Sequence, residues 1–172
     1  MPDKKIYLVG FMGSGKTTAA RKLATLLGWT FIDLDFLIEQ KAGRKIPEIF
    51  STEGESYFRA LETEILRSLS QEQIVVSTGG GAPCHDGNMD YMLGEGITIY
   101  LRLTPGQLKS RLLYSKTERP LIRGIDKDDL QDYIENKLGE REKFYSRARI
   151  IMEGDELDTD LLLQKIRSVS GG

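Results

Sequence analysis

The run Gly10-Phe11-Met12-Gly13-Ser14-Gly15-Lys16-Thr17 is where this sequence most plainly carries chemistry. Its G-x-x-x-x-G-K-[ST] spacing follows an apolar run, Ile6 to Val9, and precedes the helical spacing of Ala19, Ala20, Leu23, Ala24 and Leu27. Glycines in such a loop let successive backbone N–H groups curl around phosphates at a helix N-terminus, where the macrodipole also favours an anion. Lys16 would reach the β- and γ-phosphates of a nucleoside triphosphate, and Thr17 would place its hydroxyl on Mg²⁺. The loop alone leaves the reaction open, because GTPase switches, motors and small-molecule kinases share it. The Asn-Lys-x-Asp segment of a guanine-specific switch is absent from the sequence, and 172 residues leave little for a motor. A small kinase fits the length best.

Four further groups of residues could hold an acceptor. Asp33 and Asp35 end a short β-type run as Asp-Leu-Asp. If the strand continues through them, both carboxylates face one side at the carboxyl end of the sheet, where ligands bind. One would join the Mg²⁺ surroundings and the other would accept a hydrogen bond from an acceptor hydroxyl; the plainer alternative is that one of them, Asp35, caps the following helix. Arg59 follows Thr52-Glu53-Gly54-Glu55, which has capping-box spacing, and is either a fork for an anionic group steered by Glu62 or an exposed pair with Glu62 or Glu55. Gly79-Gly80-Gly81 follows an apolar run, and three glycines there favour a backbone lying against a ligand over a bare turn. The irregular stretch 115–124 carries Lys116, Arg119 and Arg123, and reads either as a closing loop that delivers Arg119 to the transferring group or as a solvated charged loop. Cys84 and His85 are adjacent, but neighbours in sequence rarely face each other, so they read as loop residues before they read as nucleophile and base.

The elements that must position these residues alternate. Strands are expected at Ile6–Val9, Thr30–Asp33, Ile74–Ser77, Ile97–Leu101 and Arg149–Met152, each followed by helical spacing, which is the pattern of an α/β protein with a five-stranded parallel sheet flanked by helices in three layers. Gly28 should stop the first helix, Pro47 suits a helix first turn, Thr104-Pro105 should open a helix running to about Tyr114, and a long helix should span Asp128 to Ala148. The chain reads as one domain over residues 1–172. With 24 Lys+Arg against 26 Asp+Glu the net charge is −2, which gives no electrostatic footprint for nucleic acid. The longest apolar run is four residues, so neither a membrane span nor a secretory leader is expected. One cysteine and one histidine supply neither a disulfide nor a structural zinc set. A cytoplasmic protein is the expectation, and the lack of a long exposed apolar stripe points to a monomer.

Taken in order, Gly10 to Thr17, Asp33-Leu34-Asp35, Arg59, Gly79-Gly80-Gly81, Arg119-Pro120-Leu121 and Arg141 followed by Tyr145 closely resemble the shikimate kinase family over nearly the whole chain. The resemblance implies a P-loop NTPase fold of the nucleoside monophosphate kinase type, with substrate-binding helices at about 35–62 and a lid at about 115–127. It implies transfer of the ATP γ-phosphoryl group to the 3-hydroxyl of shikimate, a step towards chorismate and the aromatic amino acids. By that likeness Asp35 binds the acceptor hydroxyls and helps remove the proton, and Asp33 assists Mg²⁺ with Thr17. Arg59 and Arg141 hold the shikimate carboxylate, with Gly79, Gly80 and Gly81 against the substrate. The nucleotide set runs Gly13, Ser14, Gly15, Lys16, Thr17 and Thr18, with Arg119 on the phosphates and Arg111 stacked on adenine beside the loop Glu153-Gly154-Asp155. Residue chemistry alone also admits a kinase of another small anionic acceptor, a nucleoside monophosphate or gluconate, and a nucleotide-dependent binding switch without transfer activity.

Overall fold

Alternate side chains of the first strand, Lys5–Val9 (β1), enter two different cores: Tyr7 and Val9 on one face, Ile6 and Leu8 on the other. A strand buried on both sides belongs at the centre of a parallel sheet covered by helices, and β1 has that place. The computed structural model describes residues 4–114 and 122–171. Its five parallel strands are ordered β2-β3-β1-β4-β5, with β2 at Thr30–Asp33, β3 at Ile74–Ser77, β4 at Ile97–Arg102 and β5 at Ile150–Glu153. Asp33 is level with Ser77, and Ser77 with Leu8, so the loops leaving β2, β3 and β1 emerge side by side.

Helices α2 (Leu34–Ala42), α3 (Ile46–Glu53), α4 (Glu55–Arg67), α5 (Asn88–Glu95) and α7 (Lys127–Tyr145) cover one face through Leu34, Ile49, Phe58, Met92 and Tyr145. Helices α1 (Lys16–Leu27) and α8 (Thr159–Ser170) cover the other through Ala20, Leu23, Leu162 and Ile166. A third apolar cluster joins Phe11 and Met12 of the glycine-rich loop to Leu108 and Leu112 of α6 (Pro105–Leu113) and to Leu130 and Ile134 of α7. The loop is thus propped from the side as well as held by its strand.

Local signals act as expected at several ends. Gly28 closes α1 in the left-handed region, and Thr104 with Gln107 forms a capping box at α6. The capping box expected at Thr52–Glu55 does not form. Helix α3 runs through Thr52, whose hydroxyl donates to Glu48 O at 2.8 Å, and Gly54 at φ +87° makes the corner into α4 without a side-chain cap. An i−4 carbonyl satisfied the hydroxyl, and only glycine adopts that corner freely. The fifth strand begins at Ile150 and α7 covers Lys127–Tyr145, each shifted from its expected bounds. Residues 115–121, including Arg119 and most of the expected lid, lie outside the described residues.

Candidate active site

Helix α1 starts at Gly15 with φ +91° and no side-chain cap, unlike the helices that Asp33, Thr104 and Asp158 cap. Its first N–H groups therefore remain available to an anion. Lys16 is buried along the loop, its Nζ donating to Gly10 O at 2.7 Å and Phe11 O at 2.9 Å. Side chains at Gly13 and Gly15 are excluded by positive φ and by α6: a Cβ would lie 3.0 Å from Leu112 Cδ2 at Gly13, and 3.0 Å from Arg111 Nη1 at Gly15. Ser14 is buried behind the loop, with its amide donating to Phe11 O, and Thr18 is exposed at the rim. Thr17 Oγ1 lies 3.1 Å from Ser77 Oγ. Ser77 carried no signal of its own in the sequence, since a serine closing an apolar strand has no distinctive spacing.

A cleft of about 840 Å³ opens above the carboxyl ends of β1, β2 and β3. The phosphate loop, Thr17, Thr18 and Arg111 line part of it, and Asp33, Asp35, Arg59, Arg141 and the glycine run line the rest. Of the two aspartates it is Asp33 that caps α2, its Oδ1 accepting from Asp35 N at 3.1 Å and Phe36 N at 3.3 Å. The strand stops at Asp33, so alternation does not carry through, and Asp35 enters the cleft from the first helical turn.

Each of the three successive glycines abuts functional side chains. A Cβ at Gly79 would lie 2.9 Å from Glu62 Oε2 and 3.1 Å from Asp35 Oδ1. At Gly80 it would lie 3.3 Å from Arg141 Nη1, and at Gly81 2.7 Å from Arg59 Cζ and 2.8 Å from its Nη1. The backbone of residues 79–81 is therefore the floor on which two guanidinium groups and two carboxyl groups converge. Tyr145, from the same helix as Arg141, donates its hydroxyl to Gly80 O and fixes that floor.

Arg59 makes both the expected pairs, Nη1 to Glu62 Oε1 at 2.8 Å and Nη2 to Glu55 Oε1 at 3.5 Å, yet its side chain is only 8% exposed. It is neither a surface pair nor unsupported: α4 turns its buried face, Phe58, Arg59 and Glu62, into the cleft wall. Glu62 is fully buried, and that burial pushes its carboxyl up to about 7 against the opposing pull of Arg59. Arg59 Nε, Arg141 Nη1 and Glu62 Oε2 are buried without a hydrogen-bond partner among the described residues. Buried donors of this kind suit an anionic ligand that supplies the missing acceptors. Phe58 under Arg59 and Phe11 under Arg141, with ring centroids 5.2 and 5.5 Å from Cζ, orient the two planes.

At the far end, Arg111 Nε donates to Asp155 Oδ1 at 2.7 Å and its Nη2 to Asp155 O at 2.6 Å. Cys84 sits in a short 3-10 turn below the glycine run, and burial pushes its thiol up to about 11, so at neutral pH it is no thiolate nucleophile.

A family model for shikimate kinase matches residues 12–169. The shikimate kinase of Parabacteroides distasonis is 39% identical over 158 residues, 91% of this chain and 91% of that protein. The one from Bacteroides fragilis strain ATCC 25285 is 43% identical over 155 residues, 90% and 87% of the two chains. Among solved structures, shikimate kinase from Acinetobacter baumannii in complex with shikimate has a TM-score of 0.86 and 37% identity, covering 97% of this chain and 92% of that one. Shikimate kinase from Bacteroides thetaiotaomicron has a TM-score of 0.85 and 38% identity over 98% and 97%. With a family model over residues 12–169 and close sequence and fold likeness over almost the full length, the chain belongs to the shikimate kinase family.

Proposed function

We propose that the chain transfers the γ-phosphoryl group of ATP to the 3-hydroxyl of shikimate, giving shikimate 3-phosphate and ADP. The observation that carries this reading is the convergence of Arg59, Arg141 and Asp35 on three successive glycines that share one cleft with the phosphate loop, Gly80 lying against Gly10 and Met12 of that loop. Two guanidinium groups with unmet donors match one carboxylate, and a carboxylate matches vicinal hydroxyls. Glu62 holds the Arg59 fork at 2.8 Å, so the anion meets a group already aimed.

With the acceptor carboxylate held by Arg59 and Arg141, its 3-hydroxyl faces the nucleotide. The hydroxyl oxygen bonds to the γ-phosphorus as the bond to the bridging oxygen of ADP breaks, and Asp35 takes the hydroxyl proton. Lys16 leaves its loop carbonyls to meet the charge spread over the moving phosphoryl group. Arg119, by the family likeness, is the second cation there. The hydroxyl of Thr17 and the carboxylates of Asp33 and Asp35 are hard oxygen donors around one end of the cleft, and no group of three or more His, Cys, Asp or Glu side chains among the described residues forms a metal cage. Such a sparse set fits Mg²⁺, which takes one or two protein oxygens together with substrate phosphates and would there offset their charge. Thr17 and Asp33 would hold it, Asp33 through the oxygen that does not cap α2.

ATP is an intracellular co-substrate, which supports the cytoplasm as the place of work. The near-neutral charge gives no reason to expect nucleic acid, and no helix among the described residues is long and apolar enough to cross a membrane. Phosphorus and proton NMR of the product formed from shikimate and MgATP tests the reaction: phosphorus coupled to the C3 proton is expected, and coupling at another carbon, or no phosphoryl ester, overturns the assignment.

A further inference from the structure

We infer that Asp155 is a positioning residue for the nucleotide, fixing the plane of Arg111 so that the base of ATP stacks on it; the inference rests on the ATP-dependent reading above. Asp155 lies between β5 and α8, just after Gly154, whose φ of +105° and N–H bond to Arg102 O set the turn. From there it grips one edge of the Arg111 guanidinium twice, by side chain and by backbone carbonyl. The other end of the guanidinium, Nη1, rests where a side chain on Gly15 would begin. Arg111 therefore spans from the β5–α8 turn to the phosphate loop, and it lines the cleft at the end where a nucleotide leaving that loop must run.

A guanidinium with one N–H edge spoken for still offers its flat faces, and a flat cation attracts a heteroaromatic ring by stacking. The pair contributes little as a surface ion pair, since the Arg111 side chain is 35% and that of Asp155 56% exposed. Its geometry has a different consequence. Without Asp155 the long Arg111 side chain regains its rotamer freedom, and the base would have to order it on binding. The partners are 44 residues apart and on different elements, so the contact also ties the adenine end of the cleft to α6.

The test compares binding of MgADP and of inorganic tripolyphosphate, which has no base, to the unaltered chain, Asp155→Ala and Asp155→Asn by calorimetry, with melting temperature and shikimate KM alongside. Asp155→Ala is expected to weaken MgADP about ten-fold, leaving tripolyphosphate, melting temperature and shikimate KM unchanged. Asp155→Asn, which keeps an oxygen for Nε, recovers part of the affinity. Unchanged MgADP binding in Asp155→Ala overturns the inference, and so does a parallel loss of tripolyphosphate, which would mean a disturbed phosphate loop. Both ligands are read without an acceptor, so a failure of shikimate turnover in the unaltered chain would count against the proposed reaction and leave this result standing by itself.

Discussion

Adding one methyl group at Gly81 should remove the anion fork while leaving the fold intact. Gly81 has φ −89° and ψ −10°, a conformation alanine adopts without strain. The new Cβ would sit 2.7 Å from Arg59 Cζ and closer still to its Nη2, against ordinary contact at 3.4 Å, so the guanidinium must shift by about 1 Å. A shift of that size spoils the geometry of the 2.8 Å bond from Nη1 to Glu62 Oε1 and draws the fork off the acceptor carboxylate. A hydrogen bond to a charged group contributes about 1.5–3 kcal/mol, so losing one raises the KM for shikimate roughly 10- to 100-fold. Folding should cost only about 1 kcal/mol, because the displaced atoms end a flexible side chain with a half-exposed second partner, Glu55. The assay is steady-state turnover of Gly81→Ala with shikimate varied at saturating MgATP, then the reverse, beside a melting curve. An unchanged shikimate KM, or an ATP KM that rises equally, refutes the placement of Arg59 against this glycine.

Lys16→Met should lower kcat about 10²- to 10³-fold, as read by coupled ADP release, with circular dichroism unchanged; a fall of less than ten-fold would deny Lys16 its part in the transition state. Asp35→Asn should lose turnover by about 10²-fold or more while calorimetry still finds ATP bound, and lost ATP binding would move Asp35 out of the acceptor role. Glu62, raised to about 7 by burial from an ordinary 4.5, binds its proton more tightly folded than unfolded. Its contribution to stability is thus full below about pH 4.5 and lost as pH climbs through 7. Melting curves of Glu62→Gln should decline less than those of the unaltered chain across that window, and parallel curves would contradict the upward push that burial gives Glu62.

The parts legible in the sequence were those whose chemistry is local. The phosphate loop needs only eight consecutive residues between a strand and a helix, and three glycines in a row announce close approach before any partner is known. The aspartates show where locality fails. Which of Asp33 and Asp35 caps α2 depends on where the strand stops, and hydrogen bonding across the sheet to Ser77 decides that. Thr52 had the right neighbours for a cap, but Gly54 took the corner two residues later. Arg59 had the same i,i+3 and i,i+4 partners that a surface arginine would have; only the packing of α4 against the sheet makes it a cleft residue. Ser77 beside Thr17 and Asp155 beneath Arg111 are contacts across 60 and 44 residues, and no spacing rule reaches that far.

The central claim, that this cleft joins a triphosphate to one carboxylated polyol, is tested most directly by ADP release from MgATP with shikimate, AMP, CMP, UMP, gluconate or no acceptor, using Arg59→Ala as the control. Strong turnover with shikimate alone, lost in the Arg59 variant, is the predicted result. ADP release that ignores every acceptor, or that survives without Arg59, contradicts it.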